Sequence, residues 1–228
     1  MASPETLQPA NTEVFIGSYA PTTNNNTEDR LRIGERNDQS GWIDRNLIKF
    51  NGLSDGTIPA NATIISAVLS IYCLLDLSNN ARTFRVYRQK RAWVASQCTW
   101  NIFSTGNNWQ TAGGFGANDC EQTDIGNRAM SATEAVNEWK DFNLTPSAIQ
   151  EIVSGAFANN GFLLKADTEE NDGYQFAGIR YATASLRPKL VVTYTTSQIK
   201  SINGLAKANI KSINGLAIAS IKSRNGLA

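Results

Sequence analysis

The search for reactive side chains starts from an absence: the chain contains no histidine. Ser-His-Asp and Cys-His catalysis and every His-ligated metal centre are therefore excluded. Cysteines occur at 73, 98 and 120. An odd count without paired spacing is no disulfide framework. Cys73 sits in an apolar run and reads as a small buried hydrophobe. Cys98 and Cys120 are open to pairing with each other or remaining apart, and neither has an imidazole to activate it. Nothing selects a pair for glycoside hydrolysis among the 20 acids. The expectation is a protein that is not an enzyme, with polysaccharide degradation the disfavoured alternative. Two polar clusters, Glu169–Asp172 and Asn24–Asp29, carry hard oxygen ligands of the kind that hold calcium. Neither follows a defined calcium loop, so both read as solvated turns, and no cofactor or metal is expected. What is left is recognition. Aromatic faces stack on sugar rings while Arg and Asn bond hydroxyls, which makes Tyr72, Arg85, Tyr87 and Trp109 the carbohydrate-binding candidates. The competing reading packs such rings under loops. It is preferred for Trp93, Trp100 and Trp139.

The elements that must hold these residues are short. Of 228 residues, 41% are apolar and 18% charged, against roughly 25% charged in typical soluble domains. Asn makes up about one residue in ten. This is the composition of a loop-rich β protein. The formal net charge of +1 gives no global footprint for nucleic acid, and no apolar run is long enough to span a bilayer. The opening MASPETLQPANTEVF has no basic n-region and no apolar h-region, so no secretion signal is expected.

Apolar runs closed by Gly, Pro, Asn or Asp predict strands at 12–19, 30–34, 42–51, 63–75, 81–88, 141–144, 161–165, 174–181 and 189–195. Within 63–75 the odd positions Ile65, Ala67, Leu69, Ile71, Cys73 and Leu75 are all apolar, so that set is expected to face the core. A run of this length should bend or bulge. Thr145-Pro146 opens a helix that Gly155 closes, with Ile149, Ile152 and Val153 as its apolar stripe. A second short helical piece is expected at 132–139. Residues 99–119 form a long Gly- and Asn-rich excursion, of the kind clamped by its own aromatics, here Trp100, Trp109 and Phe115.

Several phrases also carry a family resemblance: RLRIG at 30–34, RNLIKFN at 45–51, TIPANATIISAVLSIY at 57–72, the spacing of Trp93, Trp100 and Asn101, WQTAGG at 109–114, NNGFLLK at 159–165 and RPKLVVTY at 187–194. Together these resemble the DNRLRE-type domain, which is related to an alginate-binding group of carbohydrate-binding modules. The resemblance implies an antiparallel β-jelly roll with a polysaccharide-facing or structural role and no catalysis.

The last thirty residues repeat. IKSINGLAKAN (199–209), IKSINGLAIAS (210–220) and IKSRNGLA (221–228) align at a period of eleven. Asn-Gly recurs in each unit and disfavours a helix interior, so the units read as strand and turn rather than coiled coil. Three such units cannot bury a core alone. The segment either frays or packs, and Ile199, Ile202, Leu205, Ile210, Ile213, Leu216 and Ile221 are the residues that would pack it. It carries Lys200, Lys207, Lys211, Lys222 and Arg224 and no acid; subtracting these five bases leaves the rest of the chain 16 basic and 20 acidic side chains. The repeats look like those ending tailed-phage virion proteins.

The expected fold is all-β: an antiparallel β-sandwich or jelly roll with one short helix, plus a C-terminal β-repeat stalk. Residues 1–11 are a flexible lead-in, 12–197 the jelly roll, and 198–228 an oligomerisation or docking stalk. The expected function is a structural or adhesion protein of a phage virion surface, as a capsid decoration or fibre-like appendage assembled in the host cytoplasm. Its expected partners are copies of itself, a trimer favoured, or another capsid or virion protein, together with polysaccharide, but neither membrane nor nucleic acid. The alternative is a bacterial cell-surface or secreted carbohydrate-binding module.

Overall fold

A computed structural model describes residues 2–35 and 41–196, and the backbone alone at 201–202, 205–206, 212–213 and 216–217. In chain order the elements of the first unit are β1 (Ser3–Leu7), β2 (Thr12–Gly17), β3 (Arg30–Glu35), β4 (Ile43–Lys49), β5 (Ala62–Ser78), β6 (Arg82–Arg88), β7 (Ile102–Ser104), β8 (Asn107–Asn108), β9 (Gly126–Met130), β10 (Glu138–Leu144), α1 (Pro146–Ser154), β11 (Phe162–Ala166), β12 (Asp172–Ala177) and β13 (Lys189–Thr196). The fold is all-β with one short helix, as expected.

One antiparallel path runs β1-β13-β5-β12-β3-β4-β11-β6-β9, with β10 added to β5 and β2 to β4. The path curls at β3, which serves two neighbours in turn. Leu31–Ile33 pair with β12, whereas Gly34 and Glu35 pair with β4. Gly34 makes the turn feasible: its φ is +90°, and a Cβ there would stand 2.6 Å from the Asp172 carbonyl oxygen. The two limbs then face each other across the main core. Leu69, Ile71 and Cys73 of β5, Phe142 of β10, Phe176 of β12 and Val192 of β13 meet Ile48 of β4, Phe84 and Val86 of β6, and Phe162 and Leu164 of β11.

The 93–120 excursion adds a second, smaller core on the far side of the second limb. Val14, Ile16, Leu47, Tyr87 and Leu163 point away from the main core and meet Cys98, Trp109 and Cys120, with Trp93, Trp100, Phe103 and Phe115 at the margin. Strand β11 is thus covered on both faces, which is why FLLKA does not alternate.

Strand β5 keeps the expected phase only in its middle. Ala67, Leu69, Ile71 and Cys73 are buried, but Ile65 and Leu75 are exposed and Ala62 and Ile64 are buried instead. The slip at the C-terminal end is a bulge: Gln175 pairs with Leu75 and Phe176 with Cys73, leaving Leu74 extra. The expected helix is present, with Pro146 in its first turn and Gly155 at φ +82° closing it, although Thr145 makes no side-chain cap bond. Gln150 ties this helix to β5, its side-chain oxygen accepting the Ile64 N–H at 2.9 Å.

Two expectations about elements are corrected. The lead-in is a strand from residue 3 onward, with Ser3 opposite Tyr194 and Leu7 opposite Leu190. Residues 132–139 form no helix; the Glu134 N–H donates to Asp76 Oδ2 (2.7 Å), Asn137 takes a positive φ, and the segment leads into β10. Eight residues are too few to hold a helix without packing, and here the backbone bonds to β5 instead. Strand β9 was not anticipated, because GNRAM carries little apolar signal.

The chain divides into two units, Met1–Thr195 and Thr196–Ala228. In the second, β14 (Ser201–Ile202) pairs antiparallel with β15 (Leu205–Ala206), and β16 (Ser212–Ile213) with β17 (Leu216–Ala217). Ile202 stands opposite Leu205, and the same pairing recurs eleven residues on as Ile213 opposite Leu216. The side chains of these four residues, and all of Ile199, Ile210 and Ile221, lie outside the described residues.

Candidate functional site

The four carbohydrate-binding candidates do not form one site. Trp109, 5% exposed, is part of the second core, and its indole N–H donates to the Thr99 carbonyl at 3.0 Å. Tyr87, 6% exposed, meets Phe115 edge to face with ring centroids 4.7 Å apart. Neither offers a ring face to a sugar. The cause is the excursion, which folds back over the limb that carries Tyr87. Arg85 shares that strand face but reaches its edge, where Nη1 donates to Asp124 Oδ2 (3.1 Å) and Nη2 lies 3.8 Å from Asp167. Tyr72 is the one half-exposed ring of the four. It lies on the outer face of the first limb with Trp139 directly opposite, their centroids 5.4 Å apart and edge to face. The Tyr72 hydroxyl donates to the Asn137 carbonyl (2.7 Å), and Lys189 Nζ stands 4.1 Å over the Trp139 ring.

Trp93 and Trp100, read as packing residues, do pack. Trp93 donates to the Asn160 carbonyl at 2.8 Å, and Trp100 lies under the Arg45 guanidinium. Sequence reasoning passed over a second surface pair, Tyr19 and Trp42. Their rings stack 4.2 Å apart at 9°, with Tyr19 41% exposed. The signal was present in the ends of β2 and β4, whose antiparallel pairing puts Tyr19 and Trp42 beyond the last pair, Gly17 and Asp44.

Each polar cluster is part solvated turn and part structural tie: Glu28, Asp29 and Glu170 are exposed, while their neighbours bond across the fold. Glu169 takes Arg45 in a two-pronged bond, Nε to Oε1 at 2.8 Å and Nη2 to Oε2 at 2.7 Å, and Arg45 Nη1 also donates to the Gly113 carbonyl. Asp172 is buried beside the Gly34 turn, where its Oδ1 accepts the Glu35 N–H at 2.8 Å. Burial pushes the Asp172 carboxyl up to about 6, although that hydrogen bond opposes the shift. Glu170 reaches Arg82, and the Asn171 N–H donates to Glu35 Oε2. In the other cluster, the Asn24 amide donates to the carbonyls of Ala95 and Cys98, and Asn25 to that of Phe15. Among the described residues no group of three or more acids and cysteines is placed to hold a metal ion.

Burial governs several titratable groups elsewhere. Burial raises the thiols of Cys98 and Cys120 far above the ordinary range and that of Cys73 to about 11, and all three are free. Burial lowers the Lys165 ammonium, which sits over the Phe115 ring and bonds the Ala166 carbonyl. Burial alone would also lower Lys140, but hydrogen bonds to Glu134 and Glu138 hold it above the usual amine range. An open groove of ≈ 470 Å³ is lined by Arg88, Lys90, Glu121, Asp124 and neighbouring residues. Its Arg88 is already occupied by Glu121 and Glu151 at 2.7 and 2.6 Å.

No curated protein matches the chain. Residues 16–192, most of the first unit and more than half of the whole, match the model of the disaggregatase-related repeat domain. The curled antiparallel sheet, most of whose strands lie within those residues, and its excursion are thus those of a member of the disaggregatase-related repeat family.

Proposed function

We propose that the chain is a non-enzymatic structural and adhesion protein, in which a β-sandwich of the DNRLRE type is displayed by a self-assembling C-terminal stalk. The setting that fits best is the surface of a phage virion, as a capsid decoration or fibre-like appendage. The observation that carries this reading is the recurrence of one backbone pairing, Ile202 with Leu205 and then Ile213 with Leu216, at the eleven-residue period of the sequence. Two-residue strands cannot stand alone in water. A regular series of them is a surface waiting for a partner. Among the described residues, burial raises the thiols of Cys73, Cys98 and Cys120, and Glu169 and Asp172 are engaged by Arg45 and the Glu35 N–H, which supports a non-catalytic role. Deleting residues 199–228 tests it. The shortened chain should keep its β spectrum by circular dichroism while its mass by light scattering falls to that of a single chain. An unchanged mass together with unchanged capture by its host particle would refute the stalk.

A second reading, a cell-surface or secreted carbohydrate-binding module, is favoured by the outward-facing rings of Tyr72, Trp139, Tyr19 and Trp42. It predicts retention on an insoluble polysaccharide column that Trp42→Ala or Trp139→Ala abolishes. The virion reading predicts no loss of assembly from Trp42→Ala.

A further inference from the structure

The outer face of the first limb carries an apolar strip along β5 and β10. Tyr72 and Trp139 form its centre. The 134–137 segment is laid along β5 by two bonds, Glu134 N–H to Asp76 Oδ2 and Asn137 N–H to the Cys73 carbonyl. This brings Val136, 40% exposed, close to the bulge that turns Leu75, 39% exposed, away from the core. Single exposed hydrophobes are ordinary; two exposed and two half-buried ones gathered on one face, across β5, β10 and the segment between them, form a patch.

The border of the strip is acidic. Asp141 is exposed two residues beyond Trp139 on the same strand face, and the Glu138 side chain is half open. Asp76 and Glu134 follow along the 134–137 segment. Of the two amines nearby, Lys140 is fully buried against Glu134 and Glu138, and Lys189 lies over Trp139. Four carboxylates against two amines leave the strip negative.

The chain itself contains a complement. Residues 199–228 hold five bases, no acid, and Ile or Leu at regular intervals. We propose that the apolar, acid-bordered strip around Tyr72, Leu75, Val136 and Trp139 is the docking surface for the basic eleven-residue repeats of a second copy of this chain. The inference rests on the stalk reading above and adds its partner. Apolar side chains supply the contact area, and opposite charge fixes which surface is met.

The experiment uses the full-length chain. Leu75→Lys with Val136→Lys places two ammonium groups at exposed positions, so folding is unaffected and circular dichroism should not change. Light scattering should show association weakened roughly tenfold or more, because each ammonium repels the basic repeats and breaks the apolar contact. An unlabelled peptide spanning 199–228 should dissociate the wild-type assembly, and a charge-reversed peptide (Lys200→Glu, Lys207→Glu, Lys211→Glu) should not. That reversed segment, placed in a full-length chain, should associate with an Asp141→Lys, Val136→Lys partner better than with wild type. If Leu75→Lys with Val136→Lys leaves the mass unchanged while deletion of 199–228 abolishes assembly, the stalk stands and this docking surface falls. If the deletion is silent but the lysine pair disrupts assembly, the strip meets its own copy and the tail is not its occupant. A wild-type chain that stays at 24.8 kDa at every concentration overturns both.

Discussion

Glu13 is a carboxylic acid sealed between β2 and the 178–180 segment. Its Oε2 accepts the Ile179 N–H at 2.8 Å, and burial drives its pKa from 4.5 up to about 8 against that hydrogen bond and the nearby Arg180 charge. Between these two values the folded chain holds a proton that the unfolded chain has released. Stability therefore falls as pH rises from 4.5 to about 8 and levels off above, by at most about 1.4 kcal/mol per pH unit. Glu13→Gln keeps the shape and removes the titration. Urea unfolding of the two proteins should give similar midpoints near pH 4.5, with the variant increasingly the more stable toward pH 8. Parallel stability curves across that window would mean that Glu13 is ionised in the fold. At the same scale, the burial of Tyr87 and Trp109 could not be read from their residue types. A tyrosine facing away from one core looks solvent-bound until a second core is known to cover it.

At the scale of elements, Arg45 joins three pieces of chain. It leaves β4, grips Glu169 after β11, and holds the Gly113 carbonyl of the excursion over Trp100. The pair is nearly closed to water, with side chains 12% and 9% exposed. Removing one partner strands a charge, so Glu169→Gln or Arg45→Met alone should cost about 3–5 kcal/mol. Replacing both, Arg45→Met with Glu169→Leu, should cost much less than the sum, since no charge is left unpaired. A double-mutant cycle in urea measures this, and additive losses would reduce the pair to two independent contacts. The excursion's length and aromatic clamping were legible because Gly and Asn punctuate it and three rings recur in it. Its target was not, since the Arg45–Glu169 pair spans 124 residues. The same logic separates the legible strands from the missed ones. The middle of β5 alternates, and so Ala67, Leu69, Ile71 and Cys73 are read correctly. The C-terminal end slips phase because its bulge is decided by neighbours such as Phe176. Strand β1 pairs with β13, and no local pattern in SPETL announces a partner 187 residues away.

For the whole molecule, the decisive asymmetry is between a unit with two cores and a segment whose paired strands are two residues long. The first unit can hold itself together; on the stalk reading, the repeats gain stability from neighbours set at a fixed spacing, as in any array whose units contact only adjacent ones. Spacing, not composition, should then govern assembly. Two deletions separate these. Removing 210–220 takes out one whole period and leaves 199–209 in phase with 221–228. Removing 210–215 takes out fewer residues but shifts everything after it by half a period. Each deletion loses one base, Lys211, so electrostatic attraction changes equally. The in-phase deletion should weaken self-association in proportion to one lost unit, as measured by concentration-dependent light scattering. The out-of-phase deletion, although shorter, should lower it toward the level of a chain without residues 199–228. If the two lose association in proportion to the residues removed, the repeat acts as a generic basic, apolar adhesive, and the eleven-residue period has no part in how copies recognise one another.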